Sequence, residues 1–191
     1  MTTKRASDRI SEAALELFYK RGIRAVGVED VVAQAGVTKP SLYRAFASKD
    51  DLIASYVAQF GEGMLERFDK TIAKHPGNPK AGLLAFFAGM ADRAALPAYR
   101  GCGVSNAIVE FPSQQHPARA AALANKQALR KRLRDLCREM DAKKPKALAD
   151  GLMLLMEGVF VSGQLFGEDG PAGAAVKTAE TLIDAHVKGE G

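Results

Sequence analysis

The chain contains no tryptophan, and only two cysteines and three histidines among 191 residues. Cys102 and Cys137 are too few for the disulfide framework that stabilises small secreted domains. His75, His116 and His186 are isolated in sequence and lack the spacing with which imidazoles and thiols share a metal, so each reads as a surface residue. No metal or other cofactor is expected. The segment GVSNA at 103–107 lacks the second glycine of a nucleophile elbow, and no G-x-x-x-x-G-K-[ST] loop occurs, so nothing here predicts an enzyme. The first residues, MTTKRASDR, carry no apolar stretch of the kind a secretory signal requires. The longest apolar run, 82–91, falls well short of the ~20 residues of a membrane span. These absences predict a cytoplasmic protein that works by binding.

What is present is helix-forming sequence throughout, with 47% hydrophobic residues and no sustained alternation of the kind strands show. The most informative stretch is GVEDVVAQAGVTKPSLYRAF, residues 27–46. Gly27 is a tolerated N-cap, Glu29 and Asp30 fall in the first turn, where the helix dipole favours negative charge, and Val28, Val31, Val32 and Ala35 fall on one face. Gly36 stands where a helix end needs a left-handed residue. Thr38 then caps a second short helix with Pro40 in its first turn, where a missing N–H costs nothing. Leu42 and Phe46 turn inward, which leaves Lys39, Ser41, Tyr43 and Arg44 facing out. A helix of about two turns is unstable alone. The preceding helix, with Ile10, Ala13, Ala14, Leu17 and Phe18 at helical spacing, supplies its scaffold. Residues 7–46 therefore read as a three-helix unit whose last helix enters a DNA major groove. Charge agrees: residues 1–50 hold nine Lys/Arg against six Asp/Glu, so more than half of the net +5 lies in this quarter of the chain.

At these residues the sequence resembles the TetR family of bacterial transcription regulators. The resemblance rests on A–LF–RG from Ala14 to Gly22, AGV at 35–37, LY at 42–43, Phe46, and Ser48, Lys49 and Leu52, and it covers roughly the first 55 residues. Val26 and Gly27 stand where that family often has Thr or Ser, and Ala45 where a bulkier residue is common. The resemblance implies an all-α protein of about nine helices: a helix-turn-helix domain over 1–48, then a helical effector-binding and dimerisation domain over 49–191. It further implies a homodimeric repressor, released from a double-stranded operator by a small molecule. Thr38, Lys39, Pro40, Ser41, Tyr43, Arg44 and Lys49 are the expected DNA-binding positions.

Beyond Ser48, Pro/Gly clusters divide the chain into helices expected over 49–74, 80–96, 103–111, 118–140, 145–166 and 171–188. The helix over 145–166 is apolar on most sides and must be covered on more than one. Its small residues, Gly151, Gly158, Ser162 and Gly163, permit close approach of a second helix, so Leu155, Val159 and Ser162 are expected at a dimer interface; the central helix of a monomeric bundle is the alternative. The run LRKRLRD at 129–135 keeps its leucines on one face and reads as a solvated charged helix.

An apolar effector site is expected among Phe86, Met90, Ile108, Phe111, Met153 and Phe160, with Glu157 or Glu110 as polar anchor, because flexible methionines and aromatics here surround short, interrupted helices. Cys102, at the start of a short helix beside Arg100, is a candidate redox residue, against the plainer reading of a buried, inert thiol. Two other functions remain open on sequence: an effector-independent DNA-binding protein, and a helical small-molecule binder without DNA binding.

Overall fold

The computed structural model describes residues 4–187. Among them the regular elements are helices: α1 (Ala6–Arg21), α2 (Val28–Ala35), α3 (Lys39–Ala45), α4 (Lys49–Ile72), α5 (Pro79–Ala94), α6 (Gly103–Glu110), α7 (Pro117–Glu139), α8 (Pro145–Phe166) and α9 (Ala175–His186). The expected boundaries hold to within two residues except at α9. Residues 171–174, expected as its first turn, form a separate 3-10 turn, and Lys188, its expected end, lies outside the described residues.

The chain divides into two compact units, 1–62 with 102–125, and 63–101 with 126–191. This division does not coincide with the boundary expected at residue 48. The physical reason lies in the first unit's core: three short helices cannot close it, and Leu52, Ile53, Tyr56 and Val57 of α4 are buried with Ile10, Phe18, Val31 and Leu42. Phe18 meets Tyr56 edge to face at 5.4 Å. Gly61 takes the side chain of Asn125 directly against the α4 backbone, where a Cβ would collide with it. Gly61 therefore leaves the helix unbroken and makes room for Asn125 of α7.

In the second unit α5, α8 and α9 pack on one another around Leu83, Phe87, Leu148, Leu152, Met156 and Ile183. Gly163 brings α8 onto α5: a Cβ there would lie 2.6 Å from Ala94 Cβ. Gly151 likewise accommodates Leu182 of α9. Gly151 and Gly163 thus serve packing inside the chain. Gly158, by contrast, has open space beside it. By length and mean hydropathy the segment 145–169 is apolar enough to cross a membrane, longer than the uninterrupted run at 82–91, but it carries Asp150 and Glu157 within it.

The basic run of α7 is answered by carboxylates. Arg130 makes a bidentate pair with Asp150 at 2.6 Å for both bonds, and Arg132 one with Asp69 at 2.7 and 2.9 Å. Leu129 and Leu133 of the same helix are buried. The charged face is a clasp along α7, consistent with a solvated charged helix.

Candidate nucleic-acid interface

The interface is built from the turn between α2 and α3. Gly36 adopts φ 62° and ψ 43°, the left-handed conformation that a side chain disfavours. Its N–H reaches Ala33 O at 3.3 Å and the Val37 N–H reaches Val32 O at 3.0 Å, the two bonds of a Schellman motif. Arg9 of α1 then donates to Gly36 O at 3.2 Å, which ties the turn to the scaffold helix. At the other end of α2, the Gly27 N–H donates to the Asp30 carboxylate at 2.8 Å, and Arg21 reaches the same group at 3.1 Å. That backbone bond, with the guanidinium, holds the Asp30 carboxyl below the usual range.

Two turns of α3 follow with the phase the sequence predicts. Leu42 is fully buried and anchors the helix, while Lys39, Pro40, Tyr43 and Arg44 are exposed and Ser41 is half-buried. Thr38 occupies the N-cap position in extended conformation, but its hydroxyl does not bond the helix backbone. It pairs instead with the Ser41 hydroxyl at 3.1 Å, and Arg44 donates to that same Ser41 oxygen at 2.9 Å. Tyr43 projects its ring with half its surface open. Lys39 forms an ion pair with Glu29 of α2, which raises its pKa, and Lys49 opens α4 behind a Ser48 that accepts the Asp51 N–H at 3.0 Å.

Five of the nine cations in residues 1–50 (Lys4, Arg5, Lys20, Arg21 and Lys39) pair with carboxylates within that segment. Arg9 and Arg44 instead meet an uncharged oxygen at the turn or on α3. Arg9 was not anticipated, since as a lone residue on the first turn of α1 it has the pattern of a solvent-facing position. Only the fold brings it to Gly36.

The remaining expected positions are placed as follows. Phe86, Met90 and Phe160 are buried core residues of the second unit, where Met153 and Glu157 are half-buried. Ile108 and Phe111 belong to the first unit and are half-buried. Both expected polar anchors are already engaged: Glu157 pairs with the largely buried Lys126, whose ammonium also lies 5.3 Å from the Phe160 ring centre, and Glu110 accepts two backbone N–H groups. Lys126 was missed because its partner sits 31 residues away on another helix. Cys102 is 1% exposed, so a reagent reaches it only if α6 moves. Cys137 is also buried, and burial pushes its thiol up to about 11.

His116 corrects the surface reading given to the histidines: its ring stacks on Phe111 at 4.1 Å, and its Nδ1 accepts the Ala118 N–H at 3.2 Å. No group of His, Cys, Asp and Glu able to hold a metal occurs among the described residues.

Among the expected dimer positions, Val159 requires correction. Val159 is 3% exposed and faces the core of the chain. Leu155 and Ser162 are half-buried. The apolar row that faces out is Leu154, Val161 and Leu165, at 74, 63 and 72% exposure, with the open Gly158 between them. These four positions recur at i, i+4, i+7 and i+11 and form one stripe. On α9 an open surface depression is lined by Lys177, Thr178, Thr181, Leu182 and Ala185, of which Leu182 packs at Gly151 of α8.

A buried-anchored short helix held by a Schellman turn on a three-helix scaffold defines a helix-turn-helix protein. Residues 10–56 match the model of bacterial regulatory proteins of the tetR family. A TetR-type transcriptional regulator from Streptomyces avermitilis is 31% identical, with 96% of this chain and 98% of that one covered and a TM-score of 0.81. A TetR-family regulator from Streptomyces coelicolor is 28% identical, with 96% of each chain covered and a TM-score of 0.88. The HTH-type transcriptional repressor KstR2 of Mycobacterium tuberculosis is 33% identical over 76 residues, 40% of this chain and 38% of the repressor. The chain spans about two fifths of the length of the mycobacterial curated relatives it matches. The chain belongs to the TetR family of DNA-binding transcription regulators.

Proposed function

We propose that this protein is a homodimeric repressor that places one α3 in each half of a two-fold operator and is released by a small-molecule effector. The observation that carries the reading is α3 itself: Leu42 is buried beneath it, while Lys39, Tyr43 and Arg44 stand on its open face beside a turn fixed by Gly36 and Arg9. Arg44 and Lys39 reach base edges or adjacent phosphates, and Tyr43, Lys49 and the backbone around Thr38, Pro40 and Ser41 hold the sugar–phosphate frame. Residues 1–48, with Lys49 at the start of α4, read DNA; the rest of 49–191 binds the effector and dimerises. The protein acts on cytoplasmic DNA by binding, without catalysis.

Arg44→Ala is expected to weaken operator binding by ~1–3 kcal/mol, with relaxed preference at one base position, as the loss of a guanine-reading arginine does. Fluorescence anisotropy on the operator and its single-base variants measures both quantities. Equal affinity and equal base preference would remove Arg44 from the reading set.

The dimer surface in this reading is the Leu154, Val161 and Leu165 row with the α9 depression, an apolar strip that a second copy related by two-fold symmetry covers. Release follows from linkage: an effector that weakens operator binding a hundredfold has a coupling free energy of about 2.7 kcal/mol and is itself bound a hundredfold more weakly by the DNA complex. The residues proposed to meet the effector are Phe86, Met90, Met153, Glu157 and Phe160 of the second unit; Ile108 and Phe111, expected with them, lie in the first unit. A polar effector group must then compete with Lys126 for Glu157. Oxidation of Cys102, the thiol switch of this reading, requires α6 to open.

The test is selection of bound fragments from sheared genomic DNA by the purified protein. Recovery of a two-fold sequence motif supports the reading, and recovery of no sequence-specific fragment contradicts it. A recovered motif whose affinity responds to no compound in an effector screen would leave an effector-independent DNA-binding protein.

A further inference from the structure

We infer that Glu110 is a positioning residue for operator recognition, which sets the α1–α2 turn from the end of α6; the inference rests on the operator-binding reading above. The carboxylate accepts the Ile23 N–H at 3.1 Å through Oε1 and the Arg24 N–H at 2.8 Å through Oε2. These are consecutive backbone donors in the turn, and Ile23 is buried, so its N–H needs a protein partner. The preceding Gly22 has φ +88°, and Oε1 lies 3.7 Å from the position its Cβ would take, so the carboxylate rests directly on the turn.

The clip is held from both sides. The Arg24 guanidinium lies over the Phe111 ring at 5.7 Å, and Arg119 of α7 donates to the carbonyls of Ile108 at 3.3 Å and Phe111 at 3.1 Å. All of these residues lie in the first unit. Helix energetics alone disfavour a carboxylate in the last turn, where the dipole prefers a cation. The two backbone donors of a segment nearly ninety residues away supply what the helix does not.

The consequence concerns geometry rather than charge. Arg24 is followed after two residues by Gly27, the N-cap of α2, and α2 carries the Gly36 turn and α3. The direction in which the chain leaves α1 therefore sets where α3 sits. Base-edge contacts demand that placement; attraction to phosphates tolerates its loss.

The experiment compares Glu110→Ala, Glu110→Asp and Glu110→Gln with the unmutated dimer. Aspartate keeps the charge but is one methylene too short to reach both N–H groups. Glutamine loses the charge and keeps the reach, but it has one acceptor oxygen and turns an NH2 donor toward the other N–H, so it retains one of the two bonds. Operator affinity is expected to fall about tenfold or more in the Ala and Asp variants and less in Gln, since a hydrogen bond to a charged group is at stake at each amide. Affinity for operator-free DNA and its salt slope should stay level in the Asp variant. In the free protein, hydrogen exchange at the Ile23 and Arg24 amides should accelerate in the Ala and Asp variants, while exchange at the core amides of α5, α8 and α9 stays as in the unmutated protein. An ordering by charge, with Asp like the unmutated protein and Gln like Ala, overturns the inference, as does unchanged operator affinity in Ala and Asp. If the unmutated protein selects no operator at all, the DNA reading falls and takes this role with it; if it selects one that Glu110 variants bind normally, this role alone falls. Should the Ala variant fail to fold, the Asp and Gln comparison and the amide exchange carry the decision.

Discussion

Changing Leu154 and Val161 together to aspartate should yield a folded monomer whose operator affinity has fallen at least about a hundredfold, the scale on which coupling two sites through one dimer raises binding. Both side chains are exposed on the outer stripe of α8, so the charges meet water in the isolated subunit and cost its fold little. In a dimer each charge would enter an apolar strip without a partner, where desolvation opposes it. Sedimentation gives the mass, far-UV circular dichroism the fold, and anisotropy the affinity. A dimer that persists in the double variant would move the interface elsewhere. Val159→Asp has a different expected outcome, because that side chain lies in the subunit core: it should destabilise the fold itself.

Leu42→Ala should be the most damaging single change in the reading head, with a loss of roughly 2–5 kcal/mol, the range for truncating a fully buried leucine. The seven residues of α3 cannot remain helical on local propensity, so what holds them is this one anchor and the capped turn before it. Urea unfolding measures the stability change, and operator binding at a temperature where the variant is still folded measures the functional loss. A change below about 0.5 kcal/mol, the range typical of surface positions, would contradict the anchoring role given to Leu42.

The contrast between these two changes shows what local pattern can and cannot carry. Around α3 each signal is local: Gly36 for a left-handed turn, Pro40 in a first turn, Leu42 one turn before Phe46. Both the elements and their inward face were legible there. In α8 the extent was legible, since Pro145 and Gly167 bracket it, but the phase was not. A helix apolar on nearly every side has no polar face to mark which side meets its own core, so Val159 and Val161 look alike in sequence although one is buried and the other open. The small residues of α8 misled for the same reason: Gly151 and Gly163 admit neighbours of their own chain, and only Gly158 stands open.

Long-range polar contacts were illegible as a class. Glu110 and Glu157 have the pattern of free carboxylates until the fold brings Ile23, Arg24 and Lys126 to them. Arg9 at the Gly36 turn and Asn125 against Gly61 belong with them. The expected boundary at residue 48 failed to match the compact units because α4 and α6 contribute side chains to the first core, information that no window of sequence around residue 48 contains.

The central claim, that two copies of α3 on one rigid dimer read two half-sites together, is tested most directly by the spacing of the selected operator. The affinity of the unmutated protein is measured for the operator and for derivatives in which about 5 or about 10 base pairs are inserted at its centre; the first places the half-sites on opposite faces of the duplex, since one turn is about 10 base pairs. The account predicts that the half-turn insertion removes tight binding, with affinity reduced to that of a single half-site. Undiminished binding to the half-turn derivative would contradict it.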